Sequence, residues 1–113
     1  MANIEQGSSG NLSSLVTNGV NVLPYSIVGS GVQTVTTAGT RVALATSTAI
    51  KSVTIRAKSV NTGLIYVGSS SVASSNGFQL SASETVSIDI DNLSKVYIDS
   101  AVNGEGVSWI HLA

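Results

Sequence analysis

The side chains that could carry out chemistry in this sequence are few, and its single histidine, His111, is the first to consider. A Ser–His–acid arrangement would need a serine that this imidazole activates. Serine is so common here that a match carries no information, and no Gly-x-Ser-x-Gly motif is present. Histidines in strands near a chain end are more often structural or solvent-facing, so we expect no enzymatic activity and no catalytic residue.

Acidic side chains are the second candidates, and five of the six lie in the second half of the sequence: Glu84, Asp89, Asp91, Asp99 and Glu105. Two of them could form a general acid and base pair, but the polar faces of strands without a long loop favour solvated carboxylates. Asp89-x-Asp91-Asn92 offers oxygen ligands for calcium, with Asp99 as a further candidate, yet an EF-hand loop needs more acids at fixed spacing. One histidine without cysteine makes zinc less favourable still. We therefore expect no metal and no cofactor.

Basic residues are concentrated as well, since four of the five lie within residues 41–58: Arg41, Lys51, Arg56 and Lys58. They could pair with the acidic residues across neighbouring strands, 51–58 against 85–91 or 95–100, at under about 1 kcal/mol per pair. They could equally join the basic edge of one copy to the acidic edge of the next. The formal net charge of −1 provides little field for phosphates, so we expect no nucleic acid as a partner.

Sugar recognition would use exposed aromatic side chains, and the candidates are Tyr25, Tyr66, Phe78, Tyr97 and Trp109. All but Tyr25 lie in or beside predicted strands, where packing in a core is the usual role. If the chain binds glycan, we expect Tyr66 or Trp109 to be exposed on a loop or an open sheet face.

The composition favours an assembly. Charged residues make up 10% of the chain, against about 25% in typical domains, whereas hydrophobic residues make up 42%. A surface with so few charges is typical of a chain that another subunit partly covers.

The absence of cysteine excludes disulfides and thiolate metal sites. The apolar runs are far shorter than the roughly 20 residues that cross a bilayer, and the first residues do not resemble a secretory signal, which predicts cytosolic synthesis and no membrane partner.

The elements that must position these side chains are predicted to be β-strands, because Val, Ile, Ser, Thr and Gly dominate while strong helix formers are scarce. Short β-prone runs alternate with Gly, Asn and Ser clusters about every ten residues, as in an all-β sandwich or barrel. The predicted strands cover residues 32–37, 40–46, 51–58, 64–69, 77–81, 85–91, 95–100 and 106–112. Eight is the number of strands in a jelly roll, so the predicted fold is an antiparallel β-sandwich of jelly-roll type.

Alternation within these runs predicts which faces are buried. The inward sets are Val53, Ile55 and Ala57 on one strand and Val86, Ile88 and Ile90 on another. The run 107–112 carries large apolar groups on both faces, so we expect both to be covered, one of them by a neighbouring subunit. The turn residues at 37–40 and 103–106 predict tight connections that turn consecutive strands back on each other.

Residues 1–31 differ from the rest, so the predicted organisation is an N-terminal arm, 1–31, followed by a β-sandwich domain, 32–113. The arm contains the only proline, five of the eleven glycines and one charged side chain. Its apolar residues keep no sustained period, yet a solvated tail would not normally carry them. We therefore predict that the arm binds a partner through Leu12, Leu15, Val16, Val20, Val22 and Leu23.

Four stretches resemble small β-domains that are common in virion proteins of tailed bacteriophages. They are 49–57 (AIKSVTIRA), 61–68 (NTGLIYVG), 77–84 (GFQLSASE) and 88–98 (IDIDNLSKVYI), and the resemblance extends over roughly residues 32–112. Behind an apolar arm, such a domain resembles a capsid decoration, or cement, protein.

The resemblance implies a non-enzymatic structural protein of the virion that stabilises the head. A homotrimer on the outer capsid surface, bound to the major capsid protein, is the implied assembly, with synthesis in the host cytoplasm. Similar domains also occur in tail and fibre proteins. The alternative is therefore a tail- or fibre-associated host-recognition module that binds glycan through loops at one end of the sandwich.

Overall fold

A computed structural model describes residues 25–113, which form an all-β structure of two antiparallel four-stranded sheets. The strands are β1 (Val28–Val35), β2 (Val42–Ala43), β3 (Ser52–Ala57), β4 (Ile65–Gly68), β5 (Phe78–Leu80), β6 (Thr85–Asp89), β7 (Tyr97–Ser100) and β8 (Glu105–Leu112). All eight predicted strands are therefore confirmed. The first one begins at Val28 rather than at residue 32, so residues 28–31 of the predicted arm pair within a sheet.

The first sheet has the strand order β1-β8-β3-β6 and the second the order β2-β7-β4-β5. Of the connections between consecutive strands, only the one from β4 to β5 stays within a sheet, and every other connection crosses to the opposite sheet. The turns predicted at 37–40 and 103–106 were therefore wrong as hairpins. Gly39 and Gly104 do have positive φ, at 87° and 81°, but their turns lead from one sheet to the other. Turn chemistry shows where the chain reverses, and not which sheet the next strand joins.

The core lies between the sheets, and the alternation of β3 places its residues there as predicted. Val53, Ile55 and Ala57 are at most 1% exposed. The core consists of Val35, Leu44, Ile50, Val53, Ile55, Ala57, Ile65, Val67, Leu80, Leu93, Val96, Ile98 and Val107. The inward set on β6 behaves differently, because Val86 and Ile88 are only partly buried, as is Ile90 just beyond the strand.

Side chains also fix the connections. Asn92 begins a short 3₁₀ turn, Leu93–Lys95, and its amide oxygen accepts from the backbone N–H groups of Ser94 and Thr48, each at 3.0 Å.

Among the described residues, no helix has the length and apolar character that crossing a membrane requires.

Candidate docking surfaces

The histidine and the acidic residues considered above as candidates for chemistry lie apart from one another, and His111 is buried. It lies on the inner face of β8, 8% exposed, between Val53 on β3 and Gly29 on β1. Its ring centroid is 5.5 Å from that of Trp109. Within residues 25–113, His111 Nδ1 and Trp109 Nε1 are enclosed without a hydrogen-bond partner. The histidine is therefore a packing residue of the sandwich.

Two glycines make room for these rings on the neighbouring strand β1. A Cβ at Gly29 would lie 2.2 Å from Nε2 of His111, and one at Gly31 would lie 2.5 Å from Cζ2 of Trp109. Both rings thus occupy the space that side chains of β1 would take. Gly29 and Gly31 belong to the region predicted as arm, where the sequence alone gave them no such role.

The acidic residues serve local structure. Asp99 is 3% exposed, and its Oδ1 accepts from the backbone N–H of Gly39 at 2.9 Å. Asp91 forms an ion pair with Lys95 at 2.9 Å, which lowers the pKa of Asp91 through a hydrogen bond and the opposite charge. In the described part of the chain, no three acidic or histidine side chains group closely enough to hold a metal ion.

Glu105 at the start of β8 holds the connection between β3 and β4. Its carboxylate accepts from the backbone N–H of Thr62 at 2.6 Å, from the Thr62 hydroxyl at 2.8 Å and from the N–H of Gly63 at 3.0 Å. The bond from the Thr62 N–H is the main cause that lowers the pKa of Glu105, against a smaller opposing effect of burial. Asn61 adds a bond from Nδ2 to the carbonyl oxygen of Gly106 at 2.8 Å.

The charged strands pair as neighbours but not through ion pairs. β3 and β6 are adjacent, with Arg56 opposite Thr85 and Ser52 opposite Asp89. Lys95 and Asp91 form the one ion pair within residues 25–113. Pairing between copies of the chain therefore stays a prediction for Arg56 on β3 and for Lys51 and Lys58 on either side of it.

Neither Tyr66 nor Trp109 forms the exposed platform that glycan binding would use. Tyr66 is 7% exposed, and Trp109 is half-buried on the inner face of β8. The prediction that one of these two would be exposed on a loop or an open sheet face is therefore wrong for both, because Tyr66 is buried in β4 and Trp109 faces the interior of the sandwich. Phe78 and Tyr25 are the exposed aromatic residues of the described part, at 59% and 43%.

An apolar surface does lie on the outer face of the first sheet. The β1–β8 patch consists of Val28 and Val32 on β1 with Ile110 and Leu112 on β8. Val28, Val32 and Ile110 are 67%, 64% and 49% exposed, so no other part of residues 25–113 covers the outer face of β8. Among the described residues β1 is an edge strand of its sheet, so the patch also borders a strand edge that none of them pairs with.

A second apolar surface is a cleft between the edge strands of the two sheets. The β5–β6 cleft has a volume of about 380 Å³. Its lining residues are Val67, Gly68, Ser69, Phe78, Val86, Ile88, Ile90, Lys95 and Val96. Sequence reasoning missed this cleft, although β5 is short and bounded by Gly77 and Ser81. A three-residue strand cannot cover the five residues of β6.

The six residues predicted to bind a partner, Leu12, Leu15, Val16, Val20, Val22 and Leu23, lie outside the described residues. No protein-family model and no curated protein sequence matches the chain.

Proposed function

We propose that this protein is a non-enzymatic structural protein of a tailed-phage virion, a decoration or cement protein that stabilises the capsid. In this proposal the β-sandwich is a jelly roll and the protein forms a homotrimer. The trimer binds the major capsid protein on the outer surface of the head, after synthesis in the host cytoplasm.

The β1–β8 patch is the observation on which the proposal depends. Isolated exposed apolar residues are normal on a protein surface, but neighbouring ones on adjacent strands are typical of an interaction site. Val32 and Ile110 are on one face of adjacent strands, and charged residues make up only 10% of the chain. Contact with another subunit would remove this surface from water.

The strand order supports the jelly-roll part of the proposal. A jelly roll contains eight strands in two sheets, built from two Greek keys. In this chain the first and last strands are neighbours in one sheet, and the second and seventh are neighbours in the other. A jelly roll nests its strand pairs in this way, the first strand with the last and the second with the second to last.

A cement protein stabilises a shell by mass action. If it binds the assembled lattice better than the separate subunits, binding shifts the equilibrium toward the intact shell. Such a role needs no catalytic group, metal or cofactor. A rigid body with an apolar contact surface is sufficient.

The arm is the second part of the proposed attachment. Each of its six apolar side chains could contribute about 1.5–3 kcal/mol when fully buried against the capsid or a sister subunit. Ordering the backbone costs about 1–2 kcal/mol per residue, so only many contacts made together favour binding. We expect that deletion of residues 1–24 weakens attachment to capsids at least about tenfold. Unchanged binding of the truncated protein would contradict this role.

The patch itself is tested by one substitution and a matched control. Val32→Asp places a charge in the β1–β8 patch, and Thr85→Asp places the same charge on the same outer face at the opposite sheet edge. We expect Val32→Asp to weaken both trimer formation, measured by sedimentation, and capsid binding at least about tenfold. Thr85→Asp should leave both unchanged. Equal behaviour of two folded variants would contradict the proposal.

Cryo-electron microscopy of the virion decides the location. Density for this chain on the outer head surface would support the proposal, and density found only in the tail would overturn it. The second outcome would favour the host-recognition alternative, which binding to a glycan array would then test.

A further inference from the structure

Strand β1 is a long edge strand that lacks the usual protection of an edge. Its sequence, VGSGVQTV, contains no charged residue and no proline, and its register with β8 is unbroken. Within residues 25–113 no strand lies on the side of β1 that faces away from β8. Natural proteins protect such edges with charges, proline, bulges or a cover, because unpaired N–H and C=O groups otherwise pair with another chain. An unprotected edge of this length therefore indicates a partner strand.

The backbone groups that β1 leaves unpaired follow from its bonds to the end of the chain. Ile27 donates to the carbonyl oxygen of Ala113 at 2.8 Å and accepts from the N–H of Ala113 at 2.9 Å. Bonded residues alternate along an antiparallel ladder, so the even-numbered residues point their N–H and C=O groups away from β8: Val28, Ser30, Val32 and Thr34. The N–H of Thr34 already donates to Oε1 of Gln33 at 3.0 Å. Three residues are therefore ready to pair, at positions 28, 30 and 32.

The opposite edge of the same sheet, β6, leaves a matching set. The N–H of Ala57 donates to the carbonyl oxygen of Glu84 at 2.9 Å, one step before β6 begins. The same alternation directs the even-numbered residues of β6 toward β3 and leaves three pointing away from it: Thr85, Ser87 and Asp89. Adjacent strands of this sheet are antiparallel throughout, so β1 and β6 run in opposite directions. A second copy in the same orientation can therefore place its β1 antiparallel to β6.

One register between β1 and β6 of another copy uses all six residues. Its pairs are Val28 with Asp89, Ser30 with Ser87 and Val32 with Thr85. A shift of two residues would bring in either Thr34 or Ser26, whose N–H groups are already bound to Gln33 and to Ala113. Residues opposite each other in a sheet must point to the same face, and on both strands these side chains are on the outer face.

The inner face of β1 provides a second, independent observation. The rings of His111 and Trp109 extend over Gly29 and Gly31 as far as the edge strand. Their atoms Nε2 and Cζ2 lie 2.2 Å and 2.5 Å from where a Cβ of these glycines would be. Trp109 is nevertheless only half-buried among the described residues. The inner face of this edge therefore presents ring atoms to whatever strand comes next.

The inward residues of β6 are suited to meet these rings. In the register above, Val86 comes opposite Gly31 and Ile88 comes opposite Gly29 of the other copy. Val86 and Ile88 line the β5–β6 cleft and are themselves only half-buried. Pairing would place the two rings of one copy against these two side chains of the next. Apolar groups on both sides of the contact would then leave water.

We infer that β1 of one copy pairs with β6 of the next, so that the first sheet continues from copy to copy. The pairing rests on the proposed homotrimer and specifies its contact. A head-to-tail contact closes into a ring of three when the rotation between neighbours is one third of a turn. The side chains of the β1–β8 patch stay on the outer face, where the capsid can contact them. Thr85→Asp remains a neutral control, because the new carboxylate would lie in water beside Arg56 on β3.

Disulfide trapping between copies tests the pairing, since the chain has no native cysteine. The test variant combines Ser30→Cys with Ser87→Cys, whose Cα atoms would be about 5.5 Å apart across the contact, within reach of a disulfide. The control combines Ser30→Cys with Thr85→Cys, two residues out of register, where about 7–8 Å between Cα atoms is too far. Within one chain about 14 Å, or three strand spacings, separate β1 from β6, so neither pair can form in a monomer.

We expect the test variant to form covalent dimers and trimers at least about tenfold faster than the control, as measured on denaturing gels without reductant. Equal rates, at concentrations where sedimentation shows a trimer, would overturn the pairing and leave the homotrimer standing. Equally fast dimers of Ser30→Cys alone would overturn it too, and would assign the edge to β1 of a second copy. A chain that stays monomeric would overturn the pairing together with the homotrimer. Rapid cross-linking in a protein that does not bind capsids would support the pairing and contradict only the capsid role.

Proline at position 87 tests the backbone bonds themselves. Ser87→Pro removes an N–H that points away from β3, so a single copy keeps its own ladder. Ser87→Ala is the matched control, because both variants lose the hydroxyl contact to Thr54 at 2.8 Å but alanine keeps the N–H. We expect proline to weaken trimer formation at least about tenfold in sedimentation, and alanine to change it less than about twofold. Equal trimer formation by the two folded variants would contradict the pairing.

Discussion

The two lateral edges of the sandwich differ, because side chains among the described residues close one edge and leave the other open. At the closed edge, formed by β1 and β2, Gln33 of the first sheet donates from Nε2 to the carbonyl oxygen of Ala43 in the second sheet at 2.7 Å. The rings of Trp109 and His111 fill the space above the glycines of β1. At the open edge, formed by β5 and β6, apolar side chains of both sheets surround a cleft.

In this fold, the burial of a strand's inward side chains depends more on what the opposite sheet places against them than on the strand's own sequence. β2 has only two residues and β5 only three, so both edges of the second sheet are short. The closed edge compensates with a long polar side chain and two aromatic rings. The open edge has no such compensation among the described residues, and its apolar face remains available to another segment.

The largest expected effect breaks the closed edge. In Gly106→Ala the new Cβ would lie 2.1 Å from the backbone carbonyl oxygen of Gln33, an atom that cannot rotate away. We expect a loss of about 3 kcal/mol in the free energy of unfolding, measured by urea denaturation. The matched change at the open edge is Gly68→Ala, whose Cβ meets a methyl group of Val72 at 2.9 Å. The Val72 methyl group can rotate away, although the Val72 Cβ at 3.1 Å cannot, so this variant should lose less, about 1 kcal/mol. Equal losses would remove the contrast between the edges.

A smaller effect is expected when the hydrogen bond across the closed edge is removed. Gln33→Leu keeps the side chain's approximate volume but leaves the carbonyl oxygen of Ala43 without this donor. We expect a loss of about 1–2 kcal/mol. Gln79→Leu on β5 makes the same change at an exposed position and should stay within about 0.5 kcal/mol of the unmodified chain. A neutral Gln33→Leu would mean that the rings alone close this edge.

The sequence predicted the strands well and the connections between them poorly, for a physical reason. Alternation with period two identifies an inward face, and Val53 and Ile55 are buried as predicted. The same alternation placed Ile88 inward, but nothing in its own strand tells how far the facing sheet extends. Turn residues such as Gly104 mark a reversal without specifying the sheet of the next strand. The roles of Gly29 and Gly31 depend on rings that are about 80 residues away along the chain, which local patterns cannot reveal.

The third prediction concerns pH and Glu105. This residue begins β8 opposite Val35 of β1, and its carboxylate contacts Thr62 and Gly63. The hydrogen bonds to Glu105 lower its pKa below the ordinary value of 4.5, so the carboxylate stabilises the fold above that pH. This contribution is lost as the pH falls through the lowered pKa of the folded state.

Urea unfolding at a series of pH values measures this contribution. Glu105→Gln should be less stable than the unmodified chain near neutral pH, and the difference should shrink as the solution is acidified below 4.5. Asp89→Asn, which removes an exposed carboxylate on β6 at the open edge, is the control and should show a smaller difference at neutral pH. A difference for Glu105→Gln that is independent of pH would show that the lost bonds, and not the charge, matter.

The smallest change in structure, one methylene added at each of two inward valines, gives the finest distinction between the edges. Val107 on β8 is fully buried, so Val107→Ile forces its neighbours apart and should cost about 1–3 kcal/mol. Val86 lines the β5–β6 cleft, where the added carbon meets no fixed wall, so Val86→Ile should change stability by less than about 0.5 kcal/mol. Comparable losses at Val86 and Val107 would mean that the open edge is packed as tightly as the core.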